Sequence, residues 1–277
     1  MNTLVLGSNG QVGSELIRYM RANNMLAEEF DIKRGPGEDL RIPDNKILEK
    51  SLSQAHFVFF LAFDVGGSKY LERFQKTPEF ISNNLRLMEN TFSALKSSGK
   101  PFVFASTQMS NMSHSPYGVL KAIGEAYTRS LNGLIVKFWN TYGIEHEEDK
   151  AHVITDFINA AAKSRKIHMR TDGTEERQFL HAEDCSRCLL ALRDNYNDIP
   201  RDKELHVTSF EWNSILEVAK KVADLFPGTE IIPTKQSDSV QKGVKNEPDQ
   251  GVLEYWTPKI CLAEGIKKIV NEMYSLS

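Results

Sequence analysis

The chain has 277 residues, 40% hydrophobic and 26% charged, with a formal net charge of −3. That is ordinary globular usage in a chain long enough to bury a core, and it gives no electrostatic footing for nucleic acid or an anionic membrane. No apolar run reaches the length of a membrane span and three cysteines make no disulfide framework, so the expectation is a cytoplasmic protein with no membrane or nucleic-acid partner.

The first element is an apolar strand, Thr3–Leu6, which reads as a core strand and not a signal peptide. It runs into Gly7-Ser8-Asn9-Gly10-Gln11-Val12-Gly13 and then a helical pattern over Val12–Ala22. Strand, three-glycine turn and helix in this order build a dinucleotide site, with Gly7 for the tight turn, Gly10 for close approach of backbone to a pyrophosphate, and Gly13 for close packing of helix on strand. The free N–H groups at the helix start face the phosphates, so Gly7, Asn9, Gly10, Gln11, Val12 and Gly13 are candidate cofactor residues. The spacing is G-x-x-G-x-x-G, not the simplest G-x-G-x-x-G.

A second apolar stretch, Leu26–Phe30, ends at Asp31, 18 residues after Gly13. A carboxylate there accepts hydrogen bonds from an adenosine ribose and repels a 2′-phosphate, which favours NAD over NADP. Lys33 and Arg34 work against that preference, and a solvated acid at a strand end is the plainer alternative.

Strands then follow at Phe57–Ala62, Phe102–Ala105 and Leu134–Phe138, with helices at Glu79–Lys96 and Pro116–Leu131. Short apolar strands alternating with amphipathic helices predict an α/β fold with a Rossmann-type, doubly wound parallel sheet and right-handed crossovers. Residues 1–142 read as the dinucleotide-binding domain, its sheet completed by part of 170–200, and residues 143–277 as a smaller α/β region mainly for substrate. There the pattern predicts helices at His152–Ser164, Ala182–Arg193, Asn213–Leu225 and Cys261–Met273, strands near Ile167–Met169, Leu205–Val207 and Ile231–Pro233, and an exposed loop over Thr234–Gly251. Cys185 and Cys188 fall in an apolar-periodic stretch and read as buried small hydrophobes. The acidic run Glu145–Asp149 reads as a solvated loop, and no metal site is expected.

The chemistry is expected in Ser115-Pro116-Tyr117-Gly118-Val119-Leu120-Lys121. Ser115 is a good N-cap and Pro116 suits the first helical position, which puts Tyr117 and Lys121 on one helix face. An ammonium there stabilises phenolate and brings the Tyr117 hydroxyl toward working pH, so it can exchange a proton with a substrate hydroxyl. Thr107, at the carboxyl end of the preceding strand, offers a hydroxyl to the same substrate oxygen. The plainer alternatives are a half-buried aromatic and a local cap.

Together these pieces resemble the extended short-chain dehydrogenase/reductases, in the NAD-dependent group of nucleotide-sugar epimerases and dehydratases, over nearly the whole chain. The matching residues are the glycine turn, Asp31, Asp39-Leu40, Leu61-Ala62-Phe63, Asn84 and Asn90, Ser106-Thr107, Tyr117-x-x-x-Lys121, Lys137-x-x-Asn140-x-Tyr142-Gly143, the stretch Asp172–Asp184 and Trp256–Lys259. The resemblance implies that Asp39 and Leu40 meet the adenine, that Leu61, Ala62 and Asn84 lie beside the cofactor, and that Tyr117, Lys121 and Thr107 are catalytic, with Tyr117 and Lys121 also holding the cofactor. Asn140 and Arg177 would contact the diphosphate of a nucleotide sugar, with His181 and Asp184 locking the loop.

Departures from the family pattern narrow the reaction. Where the family's 4,6-dehydratases carry an acid pair after threonine, this chain has Gln108-Met109, and neither amide nor thioether does acid/base work. Met109 also stands where the 3,5-epimerase/4-reductases place cysteine, although His152-Val153 resembles their histidine segment and Val65-Gly66-Gly67 their substrate loop. Gln108 and His152 are thus candidate substrate contacts, with a plain helix-terminal histidine the alternative for His152. The expected activity is NAD-dependent hydride transfer at one sugar carbon, most simply C4, as a 4-epimerase or as a dehydrogenase/ketoreductase. The rivals are a reductase of a non-nucleotide ketone and a regulatory dinucleotide-binding protein without catalysis. Apolar positions beyond the needs of the sheet, at Leu85, Met88, Phe92 and Ile123, together with the family's habit, predict a homodimer through a four-helix bundle.

Overall fold

A computed structural model describes residues 1–145, 147–236 and 246–274. In chain order the elements are β1 (Thr3–Leu6), α1 (Gln11–Ala22), β2 (Ala27–Phe30), α2 (Lys46–Gln54), β3 (Phe57–Phe60), α3 (Ser68–Phe74), α4 (Pro78–Ser98), β4 (Phe102–Thr107), α5 (Pro116–Ser130) and β5 (Leu134–Phe138). They continue with β6 (Asn140–Tyr142), α6 (Val153–Ser164), β7 (Lys166–His168), β8 (Glu176–His181), α7 (Ala182–Asp194), β9 (Leu205–Val207), β10 (Trp212–Ser214), α8 (Ile215–Ala223), β11 (Glu230–Ile232) and α9 (Leu262–Tyr274).

Six parallel strands in the order β2-β1-β3-β4-β5-β9 form the central sheet. Side chains alternate across it, as the two-residue period of a strand requires. Leu4, Leu6, Phe60 and Phe104 pack on one face against Leu48 and Leu52 of α2, Met88 and Phe92 of α4 and Leu120 of α5. Val5, Phe59, Val103 and Val136 pack on the other against Leu16 and Met20 of α1 and Leu189 and Leu192 of α7. Cys185 and Cys188 lie in that second layer as free, fully buried thiols, and burial pushes both well above the usual thiol range. A third core gathers Tyr142, Phe157, Ile158, Phe179, Val218 and Ile266 beneath the second half of the chain.

Three features differ from expectation. The sixth strand is Leu205–Val207, so residues 170–200 complete the sheet's covering with α7 and do not complete the sheet. β2 is an edge strand, with Leu26 at 67% exposure and Glu28 and Glu29 half-buried. The helix expected from Asn213 begins at Ile215, because Asn213 and Ser214 pair with β8 and Ser214 then caps α8 in a reciprocal box with Glu217. α2, α3, β6, β8 and β10 add to the expected elements, and α2 buries one face through Leu48, Ser51 and Leu52. β6, β8 and β10 form a small mixed sheet, and β7 pairs with β11. His146 of the acidic run and residues 237–245 of the expected loop lie outside the described residues.

Candidate active site

β1 ends against α1 through the glycine turn, and the three glycines do different things. Gly7 has φ +89° and lies so close to the end of β3 that a Cβ there would sit 2.6 Å from Ala62 N. A Cβ on Gly13 would sit 2.1 Å from the Gly7 carbonyl oxygen, so only glycine lets α1 pack on the turn. Over Gly10 there is room, since a Cβ would meet only the Gly7 carbonyl oxygen, at 3.4 Å. The space a pyrophosphate needs is therefore open at Gly10 and filled with backbone at its two neighbours.

A cleft of ≈ 540 Å³ starts there, walled by Gly7, Asn9, Gly10, Gln11, Val12 and Gly13. The Asp31 carboxylate is held in the wall by the N–H of Asn9 and the N–H of Lys33, each at 2.9 Å. Asp39 and Leu40 follow. The Arg41 guanidinium grips Asp39 and holds its carboxyl below the usual range. Leu61 and Ala62 at the end of β3 form the middle, and Thr107, Tyr117, Lys121, Trp139, Glu145 and His152 the far part. The open cradle at Gly10, the free N–H groups of α1 and the fixed carboxylate fit a dinucleotide, and the buried, unpartnered amide nitrogen of Gln11 stands in the same turn.

β4 delivers Thr107 to the cleft at its carboxyl end, where it caps the turn Gln108–Asn111 by accepting from Met109 N–H at 3.3 Å. Ser115 caps α5 and Pro116 starts it, which places Tyr117 in the first turn. Tyr117 and Thr107 line the same part of the cleft. Burial pushes the Tyr117 phenol up to about 12, with Thr107 opposing. This is opposite in direction to the effect expected of Lys121. The Lys121 ammonium instead donates to the Ala105 carbonyl at 2.5 Å and lies 3.8 Å from the centre of the Phe63 ring. Burial pushes it down to about 7, with Glu125 opposing.

Other expected residues lie elsewhere. Asn84 is fully buried and out of the cleft. Its side chain accepts from Asp64 N–H at 2.8 Å and donates to the Asp64 and Phe80 carbonyls, bracing the loop after β3, while Asn83 faces the cleft. Gln108 is buried outside the cleft wall, its backbone carbonyl and its Oε1 both accepting from the Asn246 amide at 2.8 and 2.7 Å. Asn140 on β6 donates to the Gln178 carbonyl at 3.3 Å, and Arg177 on β8 to the Glu176 carbonyl at 2.6 Å, so the structure brings neither to the cleft wall. His181 caps α7 and its imidazole is pushed down to about 4 by burial. Asp184, fully buried, accepts from the N–H groups of Lys259 and Ile260 and ties down the segment after Trp256.

His152 does line the cleft. Its Nδ1 lies 2.6 Å from Glu145 Oε1, and its backbone N–H donates to Glu145 Oε2 at 2.8 Å. Burial disfavours the imidazolium, but the Glu145 hydrogen bond and charge outweigh it and hold the imidazole above its ordinary value. Glu145 is therefore a buried partner and not part of a solvated loop. Further along, Glu147 pairs with Lys33, and Lys150 with Asp64 at 3.4 Å, so this segment crosses from the second half of the chain to the ribose end of the cleft. Sequence reasoning missed Trp139, Glu145 and Lys150. Among the described residues no group of His, Cys, Asp and Glu could hold a metal, and no helix is long and apolar enough to cross a membrane.

A parallel sheet, a glycine turn with a ribose-side carboxylate, and a Tyr-Lys pair beside a strand-end threonine define a dinucleotide-dependent enzyme of the short-chain dehydrogenase/reductase type. Residues 3–207 match the NAD dependent epimerase/dehydratase family. A UDP-glucose 4-epimerase-like protein of Methanocaldococcus jannaschii is 31% identical over 173 residues, covering 57% of this chain and 53% of that one, so the chain spans about half the length of that curated relative. A GDP-L-fucose synthase of Sinorhizobium fredii is 24% identical over 308 residues, covering 98% of this chain and 95% of its own length. The crystal structure of a UDP-glucose 4-epimerase from Thermotoga maritima, with UDP-glucose, shares the fold with a TM-score of 0.81 at 17% identity over 99% of both chains. The chain belongs to the NAD dependent epimerase/dehydratase family. By that membership it is an NAD-dependent enzyme.

Proposed function

We propose that the protein transfers hydride at one carbon, C4, of a nucleotide-diphosphate sugar, as a 4-epimerase or a 4-dehydrogenase/ketoreductase, and that it does not dehydrate its substrate. The observation that supports this best is that Thr107, Tyr117 and Lys121 line the same cleft as the glycine turn. NAD, when bound, supplies the hydride acceptor and donor. The turn 7–13 would hold its pyrophosphate, Asp31 the adenosine ribose, Asp39 and Leu40 the adenine end, and Leu61, Ala62 and Lys121 the other. Tyr117 takes the proton from the sugar hydroxyl as the carbonyl forms and returns it in reverse, and Thr107 fixes the same oxygen. Asn84 contributes indirectly, by bracing the Asp64 loop.

Dehydration needs an acid and a base after Thr107. Gln108 and Met109 supply neither, and Asn246 occupies the acceptors of Gln108. His152 and Trp139 mark the substrate end. Beyond them Asn140 and Arg177 are the proposed diphosphate contacts, reached by releasing the carbonyls they now hold. Residues 143–277 contribute mainly to this end, α7 and β9 excepted. The protein is proposed to pair as a homodimer through the exposed face of Leu85 on α4 and Val119, Ile123 and Tyr127 on α5. Met88 and Phe92, expected on that face, are core residues.

The test is incubation with NAD and UDP-, GDP-, CDP- and dTDP-sugars, with products resolved by NMR and mass spectrometry. Inversion or oxidation at C4, lost in Tyr117→Phe, is expected. A 4-keto-6-deoxy product, or turnover only of ketones lacking a nucleotide, would overturn the reading. Light scattering at micromolar concentration is expected to give a dimer, and a monomer in Ile123→Asp.

A further inference from the structure

Lys121 and Glu125 stand one turn apart on α5 and both point into the molecule, at 3% and 4% exposure. They meet adjacent residues of β4. The Lys121 ammonium donates to the Ala105 carbonyl at 2.5 Å, and Ser106 Oγ donates to Glu125 Oε1 at 2.5 Å. The rest of the carboxylate is anchored from two directions, with Arg129 Nη2 3.2 Å from Oε2 and Lys137 Nζ of β5 3.7 Å from Oε1. Lys137 in turn reaches Glu204 at 2.8 Å, and His206 Nε2 lies 3.3 Å from the other Glu204 oxygen.

A buried ammonium between the Phe63 and Phe104 rings, with one carbonyl as acceptor, has little to keep it charged. The groups around it are few. Tyr117 lies on its own helix. β4 presents Ala105, Ser106 and Thr107. α4 turns Met88 toward Gly124. Asp64, in the loop after β3, is taken by Tyr70 at 2.6 Å and by Lys150. Among the described residues Glu125, one turn along α5 and beyond direct ion-pair distance, is the carboxylate whose charge acts on Lys121.

We propose that Glu125 is a positioning residue of the hydride-transfer site, a fixed buried counter-charge that keeps Lys121 an ammonium beside Tyr117 while holding the β4 end through Ser106. Glu125 itself does not line the cleft around Tyr117, so it acts through Lys121 and through Ser106, which do. The inference rests on the catalytic reading of Tyr117 and Lys121, and its main readout does not need turnover.

The measurement is a 13C NMR titration of the Lys121 ε-carbon in the full chain, assigned with Lys121→Met, for wild type, Glu125→Gln and Glu125→Asp. Glu125→Gln keeps the size and the Ser106 partner and removes the charge. Its Lys121 midpoint is expected to fall by about one pH unit, with the alkaline limb of kcat moving the same way and kcat falling up to about tenfold above that limb. Glu125→Asp keeps the charge one methylene further back, so it is expected to lower the midpoint by a few tenths and to restore most of kcat. If Glu125→Gln does not fold, the Asp variant carries the test alone. A Lys121 midpoint equal to wild type in whichever variants fold would overturn the proposal, even if activity were lost. A shifted midpoint in a protein that turns over no nucleotide sugar would support the hold of Glu125 on Lys121 and overturn the function it is proposed to serve.

Discussion

Two glycines of one turn are expected to fail in opposite ways when given a methyl group. In Gly13→Ala the new Cβ would lie 2.1 Å from the Gly7 carbonyl oxygen and 2.9 Å from its carbon. Ordinary contact begins near 3.4 Å, so α1 or the turn must move by more than an ångström. Gly7 has little room to yield on its other side, where even a Cβ would meet the Ala62 backbone. Overpacking of this kind costs about 3 kcal/mol, or roughly 6–12 °C of Tm in a chain of this size. In Gly10→Ala the backbone, at φ −74° and ψ 168°, suits alanine and the nearest atom is 3.4 Å away. Stability without cofactor is therefore expected within about 1 kcal/mol of wild type. The methyl does fill the cradle, and the loss of one charge-assisted N–H to phosphate contact, about 1.5–3 kcal/mol, weakens NAD binding by roughly 10- to 100-fold. Scanning fluorimetry with and without NAD, followed by calorimetric titration of NAD, separates the two effects. Wild-type NAD affinity in a folded Gly10→Ala chain would refute the assignment of this turn to the pyrophosphate. A low Tm in Gly10→Ala without NAD would refute the claim that the space there is free.

Tyr117→Phe is expected to lower kcat by roughly 10²- to 10⁴-fold, because the general acid/base is gone, with NAD affinity unchanged by titration; surviving turnover would remove Tyr117 as the proton carrier. Asp31→Ser is expected to shift preference toward NADP, read as the ratio of kcat/KM for the two cofactors, since the repelling charge leaves while Lys33 and Arg34 remain. Arg177→Ala is expected to raise KM for the nucleotide sugar with kcat nearly kept, and an unchanged KM would exclude it from the substrate site. For the Glu145–His152 pair the sign follows from two opposite shifts. The folded state holds His152 above its ordinary 6.5 and Glu145 below its ordinary 4.5. The imidazolium's contribution is whole below 6.5 and is lost as pH rises through the raised value. The carboxylate's is whole above 4.5 and is lost as pH falls through the lowered one. The Tm difference between wild type and Glu145→Gln should therefore be widest between about 4.5 and 6.5 and narrow on both sides. A difference flat with pH would mean that the pair is not ionic.

What the sequence disclosed follows from the range of the forces involved. The glycine turn, the alternating β-strands and the Ser115–Lys121 cap and helix are local patterns, and the structure places them as read. Asp31 is placed by the strand before it, and Tyr117 and Lys121 by one helix start. Residues fixed by distant partners were not legible. Nothing near Asn84 in the chain says that its amide is committed to Asp64, 20 positions away. Gln108 is held by Asn246 across 138 positions, and Glu147 reaches Lys33 across 114. Glu145 looked solvated because its neighbours are acids, and its burial depends on α6 setting His152 beside it. The sixth strand was assigned too early because β8 and α7, which fill 170–200, cover the core without joining the main sheet.

The direction of the two central pKa shifts explains why a residue outside the cleft matters. Burial drives Tyr117 up to about 12 and Lys121 down to about 7, so both lean toward their neutral forms. A cation brought to the cleft pulls both downward. For Tyr117 that is useful, because it moves the phenol toward the working range. For Lys121 it is harmful, because the ammonium that should favour phenolate is itself discharged. The two demands are met together only if a negative charge sits nearer to Lys121 than to Tyr117. Glu125 is one turn beyond Lys121 and two beyond Tyr117 on the same helix, with Ser106, Arg129 and Lys137 keeping it in place. Removing its charge should therefore harm Lys121 more than it helps or hurts Tyr117, and the loss should grow as pH rises. A loss of activity in Glu125→Gln that is the same at pH 6 and pH 9 would contradict this ordering.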